Sequence, residues 1–401
     1  MNLINKLIIL CVFFLLSSQP ILSLLDLNPF VLFILIFFVL ICANLKNIPR
    51  ELLTVDSSYI ILCLVLLLFS AAVNGLTGPT IVLAFQLAVL VAARYILNNL
   101  FLIPEFMNLL MLISIVIALG SSYALASHYF FGLKPQFALV DLLNLRNYYW
   151  LNFSFSPSDG DLSMTNSYRP SGIYDEPGAL AYSFVILSVL RLVRTGTMLT
   201  VFVTSLFVSF VSGSLFGVYA TIPSLFASIA SLKSNKSFLT TLAVVIIVLA
   251  LFASPKLNYY FNSELFSRLA GVGGQPLFGS RQESIESSVD FLIRFDFDLI
   301  LKGDRSGNTQ NTGGDFLSIL VGYGLFPWFF YLAILWRLAW ISFASIFIAP
   351  FQSNYISVAA TMLLIALLQR PYIFHVYWAI PTMAAFLALN QYAFKPSRKS
   401  L

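Results

Sequence analysis

A short polar stretch, RPSGIYDEPG (residues 169–178), stands directly before a long apolar segment. It combines the guanidinium of Arg169 with two adjacent carboxylates, Asp175 and Glu176. A guanidinium is a planar fork of donors that matches phosphate oxygens, whereas a carboxylate can accept a proton as a general base. Pro177 suits the first turn of a helix, so both carboxylates are predicted at a helix N-terminus. They either complement the helix dipole, or one of them is a general base beside Arg169.

Other charged residues of the same kinds cluster in two long polar segments, 127–176 and 255–314. Each arginine could be a solvated charge paired with a neighbouring carboxylate. As a set, the arginines fit a phosphate-rich ligand better, because several bidentate forks are needed to hold a pyrophosphate. Candidates for this role are Arg169 and Arg281, supported by Arg268, Arg294, Arg305 and Arg370; Asp315, after the second segment, is a second candidate base.

His375 lies in YIFHVYW (residues 372–378) and is either an interfacial hydrogen-bonding residue or a substrate contact. The pair Asp296 and Asp298 is interrupted by a phenylalanine and is not predicted to bind a metal. No nucleotide-binding or zinc motif is present, so neither a metal nor a cofactor is expected. An aromatic cluster could be an interfacial belt or a platform for a sugar or lipid; its members are Tyr148, Tyr149, Trp150, Phe153 and Phe155.

The composition places these residues on an integral membrane protein. Of the 401 residues, 59% are hydrophobic and only 10% are charged, against about 25% charged in soluble domains. Apolar windows of about 20 residues predict helical spans. We expect an all-α bundle of about twelve, at 7–25, 29–45, 58–74, 78–97, 105–126, 177–194, 197–212, 214–232, 238–254, 315–342, 352–369 and 371–391.

Lysines and arginines predict the orientation of these spans. With the N-terminus in the cytoplasm, Arg370 falls in a short outer turn, and the other basic residues of the short loops and of the C-terminal tail fall inside: Lys46, Arg50, Arg94, Arg191, Arg194, Lys233, Lys236, Lys395, Arg398 and Lys399. The two long segments then lie outside the membrane, as two large loops of a single transmembrane domain, 1–401. Within the second, residues 282–300 have the spacing of an amphipathic helix at the membrane surface. The net charge of +5 is explained by topology, so no nucleic acid partner is expected.

The stretch at 169–178 resembles a segment of bacterial O-antigen and capsular polysaccharide polymerases of the Wzy type, a group that includes the O-antigen ligases. The second long segment is similar in layout, with LFGSR ending at Arg281, LKGDR ending at Arg305, and GGDFLSILVGYGL around Asp315. Ligases typically have His-Asn before this helix, whereas this chain has Gly314 and Asp315. The resemblance therefore favours a polymerase over a ligase.

The resemblance implies a GT-C-like, metal-independent glycosyltransferase of the bacterial cytoplasmic (inner) membrane, with its active site facing outward. Its substrates would be undecaprenyl-pyrophosphate-linked oligosaccharides, and membrane lipid and a chain-length regulator protein would be further partners. Glu176, Arg169, Arg281 and Asp315 are the expected catalytic residues. Arg268, Arg294, Arg305, Arg370, His375 and Asp175 are expected to bind substrate. The alternatives are an O-antigen ligase and a transporter or flippase for lipid-linked oligosaccharide.

Overall fold

The computed structural model describes residues 3–44, 57–141, 146–158, 168–174, 176–195, 289, 293, 297–303, 317–348 and 354–393. These form two compact units, one within Met1–Phe33 and Leu100–Gly274 and the other within Ile34–Asn99 and Gln275–Leu401. We call them unit 1 and unit 2. The predicted spans 197–212, 214–232 and 238–254 lie outside the described residues.

The described chain is mostly helical, as the sequence predicts. Its α-helices, in chain order, are α1 (Leu3–Leu10), α2 (Gln19–Leu24), α3 (Pro29–Asn44), α4 (Ser57–Asn74), α5 (Gly78–Leu102), α6 (Pro104–Phe131), α7 (Pro177–Thr195), α8 (Phe297–Lys302), α9 (Ser318–Tyr323), α10 (Leu325–Ile348), α11 (Asn354–Gln369) and α12 (Ala379–Tyr392). A π-helical turn, Cys11–Leu15, follows α1, and a 3-10 turn, Tyr372–Phe374, precedes α12.

Helices of membrane-spanning length and hydropathy occur in both units. Within the described residues four qualify by length and composition: α5, α6, α7 and the part of α10 from Leu325 to Ala344. Shorter apolar helices cover Leu3–Leu15, Pro29–Leu40, Ser58–Asn74 and Tyr355–Gln369. The chain is therefore a helical membrane protein, while the predicted number of twelve spans stays a prediction.

Three predicted spans differ from the observed helices. The span 7–25 is interrupted at Ser17 and Ser18, after which α2 restarts with Pro20 in its first turn. The span 315–342 is broken at Gly324, whose φ of +85° does not continue a helix. The span 371–391 begins only at Ala379, because Pro371 opens the 3-10 turn.

A small antiparallel sheet in unit 1 departs from the all-α prediction. Strands β1 (Gln136–Asp141), β2 (Arg146–Leu151) and β3 (Ser154–Ser158) form a meander in the order β1-β2-β3. Aromatic residues favour strands, and Asn152, with φ +52°, makes the tight turn between β2 and β3. The aromatic cluster is divided by this sheet: Tyr148, Tyr149 and Phe155 are buried, whereas Trp150 and Phe153 are exposed.

In unit 1 the sheet packs on α6, and α7 forms the centre of the core. Leu151 of β2, Ala124 of α6 and Tyr168 form one buried cluster. Helix α7 is buried along almost its whole length, from Pro177 to Leu190. The polar stretch at 169–178 therefore leads directly into a helix that is buried almost throughout.

In unit 2 two backbone segments cross at van der Waals distance. A Cβ on Gly303 would lie 2.8 Å from the carbonyl oxygen of Gly322, and one on Gly324 would lie 2.4 Å from that of Leu301. Asn74 of α4 also donates to the Leu301 carbonyl, at 3.4 Å. The crossing fixes the end of α8 against the break between α9 and α10.

Candidate functional site

The stretch that contains Arg169 and Glu176 is held in unit 1 by backbone hydrogen bonds to β3. The Ser171 amide donates to the Phe155 carbonyl, and the Phe155 amide donates to the Gly172 carbonyl, each at 2.8 Å. Ser171 Oγ donates towards the carbonyls of Phe155 and Tyr174 at 2.9 and 2.8 Å. The Gly172 amide donates to Ser154 Oγ at 2.9 Å. This network makes the turn a rigid extension of the sheet.

Two charged side chains stand at the ends of this rigid turn. Arg169 and Glu176 are each half-buried, whereas Tyr168, Pro170, Ser171, Gly172, Tyr174 and Pro177 are buried. The Glu176 carbonyl accepts the amides of Ala179 and Leu180 at 3.0 and 3.3 Å, which starts α7. Helix α7 begins at Pro177, so the predicted helix N-terminus is confirmed. The guanidinium of Arg169 and the carboxylate of Glu176 are therefore half-buried among residues that are mostly buried.

Gly172 is required by the shape of this turn. Its φ is +65°, and a Cβ there would lie 2.6 Å from Ile117 Cγ2 and 3.2 Å from Ser121 Oγ, both on α6. We expect Gly172→Ala to separate the turn from α6 and to lower the thermal unfolding temperature by several degrees, since left-handed strain costs about 1–2 kcal/mol before the clash is added.

Gly132→Ala is the matched control for Gly172→Ala. Gly132 has φ +67°, but nothing lies within 4 Å of the position that a Cβ would take there. The control therefore introduces the same backbone strain without the steric clash. Thermal unfolding in detergent compares the two variants, and equal losses of unfolding temperature would show that the contact with α6 contributes nothing.

The second pair of predicted residues, Arg370 and His375, lies in unit 2 on the loop between α11 and α12. Arg370 Nη1 donates to the Tyr372 hydroxyl at 2.6 Å, and its guanidinium lies 5.5 Å from the Tyr372 ring centroid. The ring of Tyr372 stacks on Trp378 at 6.1 Å with an interplanar angle of 15°. Arg370 is thus oriented by a fixed aromatic side chain, which lowers the entropy cost of using its fork to bind an anion.

His375 adjoins the same group, with its ring 5.7 Å from that of Tyr372 and 5.1 Å from that of Tyr377. Burial by surrounding protein, together with the positive charge of Arg370, lowers the pKa of His375 from 6.5 to about 4. The residue nevertheless keeps exposed surface. A neutral imidazole at such an exposed position can donate or accept a hydrogen bond.

The lowered pKa of His375 predicts a pH dependence of stability. Between pH 4 and 6.5 the unfolded chain binds more protons than the folded chain, so the free energy of unfolding rises with pH in this window. We expect the wild type to lose more thermal stability than His375→Gln when the pH falls from 7 to 4.5. His128→Gln retains His375 and should follow the wild type; parallel curves for wild type and His375→Gln would contradict the prediction.

Sequence reasoning missed the residue that anchors this loop. Gln86, fully buried in α5, donates from Nε2 to the Ile373 carbonyl at 2.9 Å. A lone amide in an otherwise apolar span was the available signal, because buried polar groups in a membrane helix need a partner. Its partner is 287 positions away in sequence, which no local pattern reveals.

The remaining predicted site residues lie outside the described residues: Asp175, Arg268, Arg281, Arg294, Arg305 and Asp315. The described structure thus brings Arg370 and His375 together and holds Arg169 and Glu176 on one turn. Within this part of the chain, no group of three or more His, Cys, Asp or Glu side chains is placed to hold a metal ion.

No family model, curated protein or solved structure matches the chain. The chemistry of each group of candidate residues must therefore be argued from that group alone. In unit 1 these are Arg169 and Glu176, both half-buried; in unit 2 they are Arg370 and His375 on one loop.

Proposed function

We propose that this chain is a membrane-embedded polysaccharide polymerase that uses glycans linked to undecaprenyl pyrophosphate. It transfers the growing glycan to the non-reducing end of a lipid-linked repeat unit, on the outer side of the cytoplasmic membrane. The product is an O-antigen, a capsule or an exopolysaccharide. The supporting observation is the turn from Tyr168 to Tyr174, which is bonded to β3 and carries Arg169, with Glu176 at the start of α7, in a chain of apolar helices.

The proposed reaction is a single displacement at the anomeric carbon of the donor glycan. A hydroxyl oxygen of the acceptor sugar forms the new glycosidic bond, and the bond between the anomeric carbon and the pyrophosphate oxygen breaks. The acceptor's proton goes to Glu176, with Asp315 as the second candidate. Lipid pyrophosphate leaves with the bonding electrons.

Arginines take the second role in this proposal, stabilisation of the leaving group. Negative charge grows on the pyrophosphate as its bond to the sugar breaks, and pre-positioned cations stabilise that charge more than they stabilise the ground state. Arg169 and Arg281 are assigned to the leaving pyrophosphate, with Arg268, Arg294, Arg305 and Arg370 in support. The neutral ring of His375 and the carboxylate of Asp175 are assigned to hydrogen bonds with sugar hydroxyls.

Deletion of the gene in its native host tests this proposal against its alternatives. Loss of a polymerase leaves surface glycan one repeat unit long, and complementation with the wild-type chain restores the length ladder. Loss of a ligase would instead leave full-length polymer on its lipid carrier. Loss of a flippase would leave single repeat units facing the cytoplasm. Either of the last two outcomes would refute the polymerase.

A further inference from the structure

Helix α6 has one exposed apolar face. Its large exposed side chains, with fractional exposures between 41% and 59%, recur every three or four residues: Leu109, Leu112, Val116, Leu119 and Tyr123. This spacing puts them on a single stripe. Because α6 has the length and hydropathy of a membrane span, a stripe of this kind is covered by lipid acyl chains.

The turn between β2 and β3 continues this stripe. Phe153, at the turn, is 64% exposed, and its ring lies 6.3 Å from that of Tyr123. A Cβ on Gly120 would lie only 2.8 Å from Phe153 Cβ, so the turn rests directly on the helix at that level. The glycine allows this close approach.

The level of the turn along α6 follows from helix geometry. Gly120 lies sixteen residues after Pro104, the first residue of α6, which is about 24 Å at 1.5 Å per residue. The hydrocarbon layer is about 30 Å thick. Arg194, near the end of α7, lies 6.0 Å from the ring of Phe101, just before α6, and this charge marks the polar boundary at that end. The Gly120 level is therefore inside the hydrocarbon.

Polar groups of the turn have partners within unit 1. Asn152 donates from Nδ2 to Ser127 Oγ of α6 at 2.8 Å. Strand β2 pairs on both sides, with β1 and β3, and β3 also pairs with Gly172. Non-helical backbone at membrane depth requires such internal hydrogen bonds, since lipid offers none.

We infer that the β2–β3 turn is inserted among the lipid acyl chains of the leaflet on the Phe131 side, with Phe153 as its lipid contact. This turn of the first polar segment then lies within the membrane rather than outside it. A Cβ on Gly172 would meet Ile117 and Ser121 of α6, so Gly172 lies at a similar depth. The membrane position of the β2–β3 turn does not depend on whether the chain is a polymerase.

Spin-label accessibility in nanodiscs of phosphatidylethanolamine and phosphatidylglycerol tests the insertion. Single-cysteine variants Phe153→Cys, Leu119→Cys and Leu133→Cys are made with Cys11, Cys42 and Cys63 replaced by serine. Oxygen concentrates in hydrocarbon and a nickel chelate in water. We expect the oxygen-to-nickel accessibility ratio at Phe153→Cys to match Leu119→Cys and to exceed Leu133→Cys at least about threefold.

Two outcomes would overturn the inference. A ratio at Phe153→Cys equal to that at Leu133→Cys would place the turn in water, and low accessibility to both reagents would mean that protein covers it. If the cysteine-free chain fails to fold, a benzophenone amino acid at position 153 of the native-cysteine chain replaces the spin label. Phospholipid adducts at position 153 but not at 133 are expected; adducts with protein alone, or none, contradict insertion.

Discussion

Replacing Glu176 by glutamine is expected to slow glycan transfer by about 10²–10⁴-fold, the usual contribution of a general base. Glutamine preserves the size and the hydrogen-bonding shape of the side chain but cannot accept the acceptor's proton. The Glu176 carbonyl, which starts α7 by accepting the Ala179 and Leu180 amides, is unaffected. Polymer length in cells and the rate of lipid pyrophosphate release by the purified variant measure the effect.

Glu105→Gln is the matched control for this substitution. Glu105 lies in the first turn of α6, beside a proline as Glu176 is, so the control removes a carboxylate near a helix N-terminus without touching the motif. The helix-dipole contribution of such a carboxylate is about 0.3–1 kcal/mol. If Glu176→Gln and Glu105→Gln both reduce glycan transfer only slightly, Glu176 interacts with the helix dipole but is not a general base.

Replacing Gly324 by alanine is expected to have the largest effect on folding. The backbone there has φ +85° and ψ −178°, a region almost restricted to glycine, and strain of this kind costs about 1–3 kcal/mol. The added Cβ would also lie 2.4 Å from the Leu301 carbonyl oxygen and 3.1 Å from the Gly303 nitrogen, and overpacking adds about 1–3 kcal/mol. We expect little folded Gly324→Ala protein to accumulate in the membrane.

The neighbouring Gly322 provides the control for this effect. Nothing lies within 4 Å of the position that its Cβ would take, so Gly322→Ala changes the same short segment without a clash. Its monodisperse yield after detergent extraction should remain near that of the wild type. Equal yields of the two variants would show that the crossing with Leu301 and Gly303 is dispensable.

Hydropathy predicted the helical, membrane-spanning class and Pro177 predicted the start of α7, because both depend on local residue types. It did not predict the sheet. Windows of about 20 residues average over the short strands, and a cluster such as Tyr148 and Tyr149 is compatible with a membrane interface as well as with a buried strand. Hydropathy also does not show that the turn at Asn152 and Phe153 packs against α6.

The sequence predicted which residues are candidates for function, but it did not predict how they are held in place. Spacing placed Arg370 on a short turn and His375 near the outer end of the last span, 371–391, whereas the structure has both residues on the loop before α12. The Tyr372 contacts that orient Arg370 and the Gln86 hydrogen bond that fixes the loop depend on packing. The requirement for glycine at position 172 depends on the proximity of Ile117 of α6, which arises only when the two segments are folded together.

Polymerisation by the purified chain tests the central claim most directly. The wild-type protein in lipid nanodiscs is given an undecaprenyl-pyrophosphate-linked repeat unit as the only substrate. The proposal predicts a ladder of longer lipid-linked glycans, with one undecaprenyl pyrophosphate released for each new bond, and loss of both signals with Arg169→Ala. A folded wild-type chain that leaves the repeat unit at its original length, with no undecaprenyl pyrophosphate released, would contradict it.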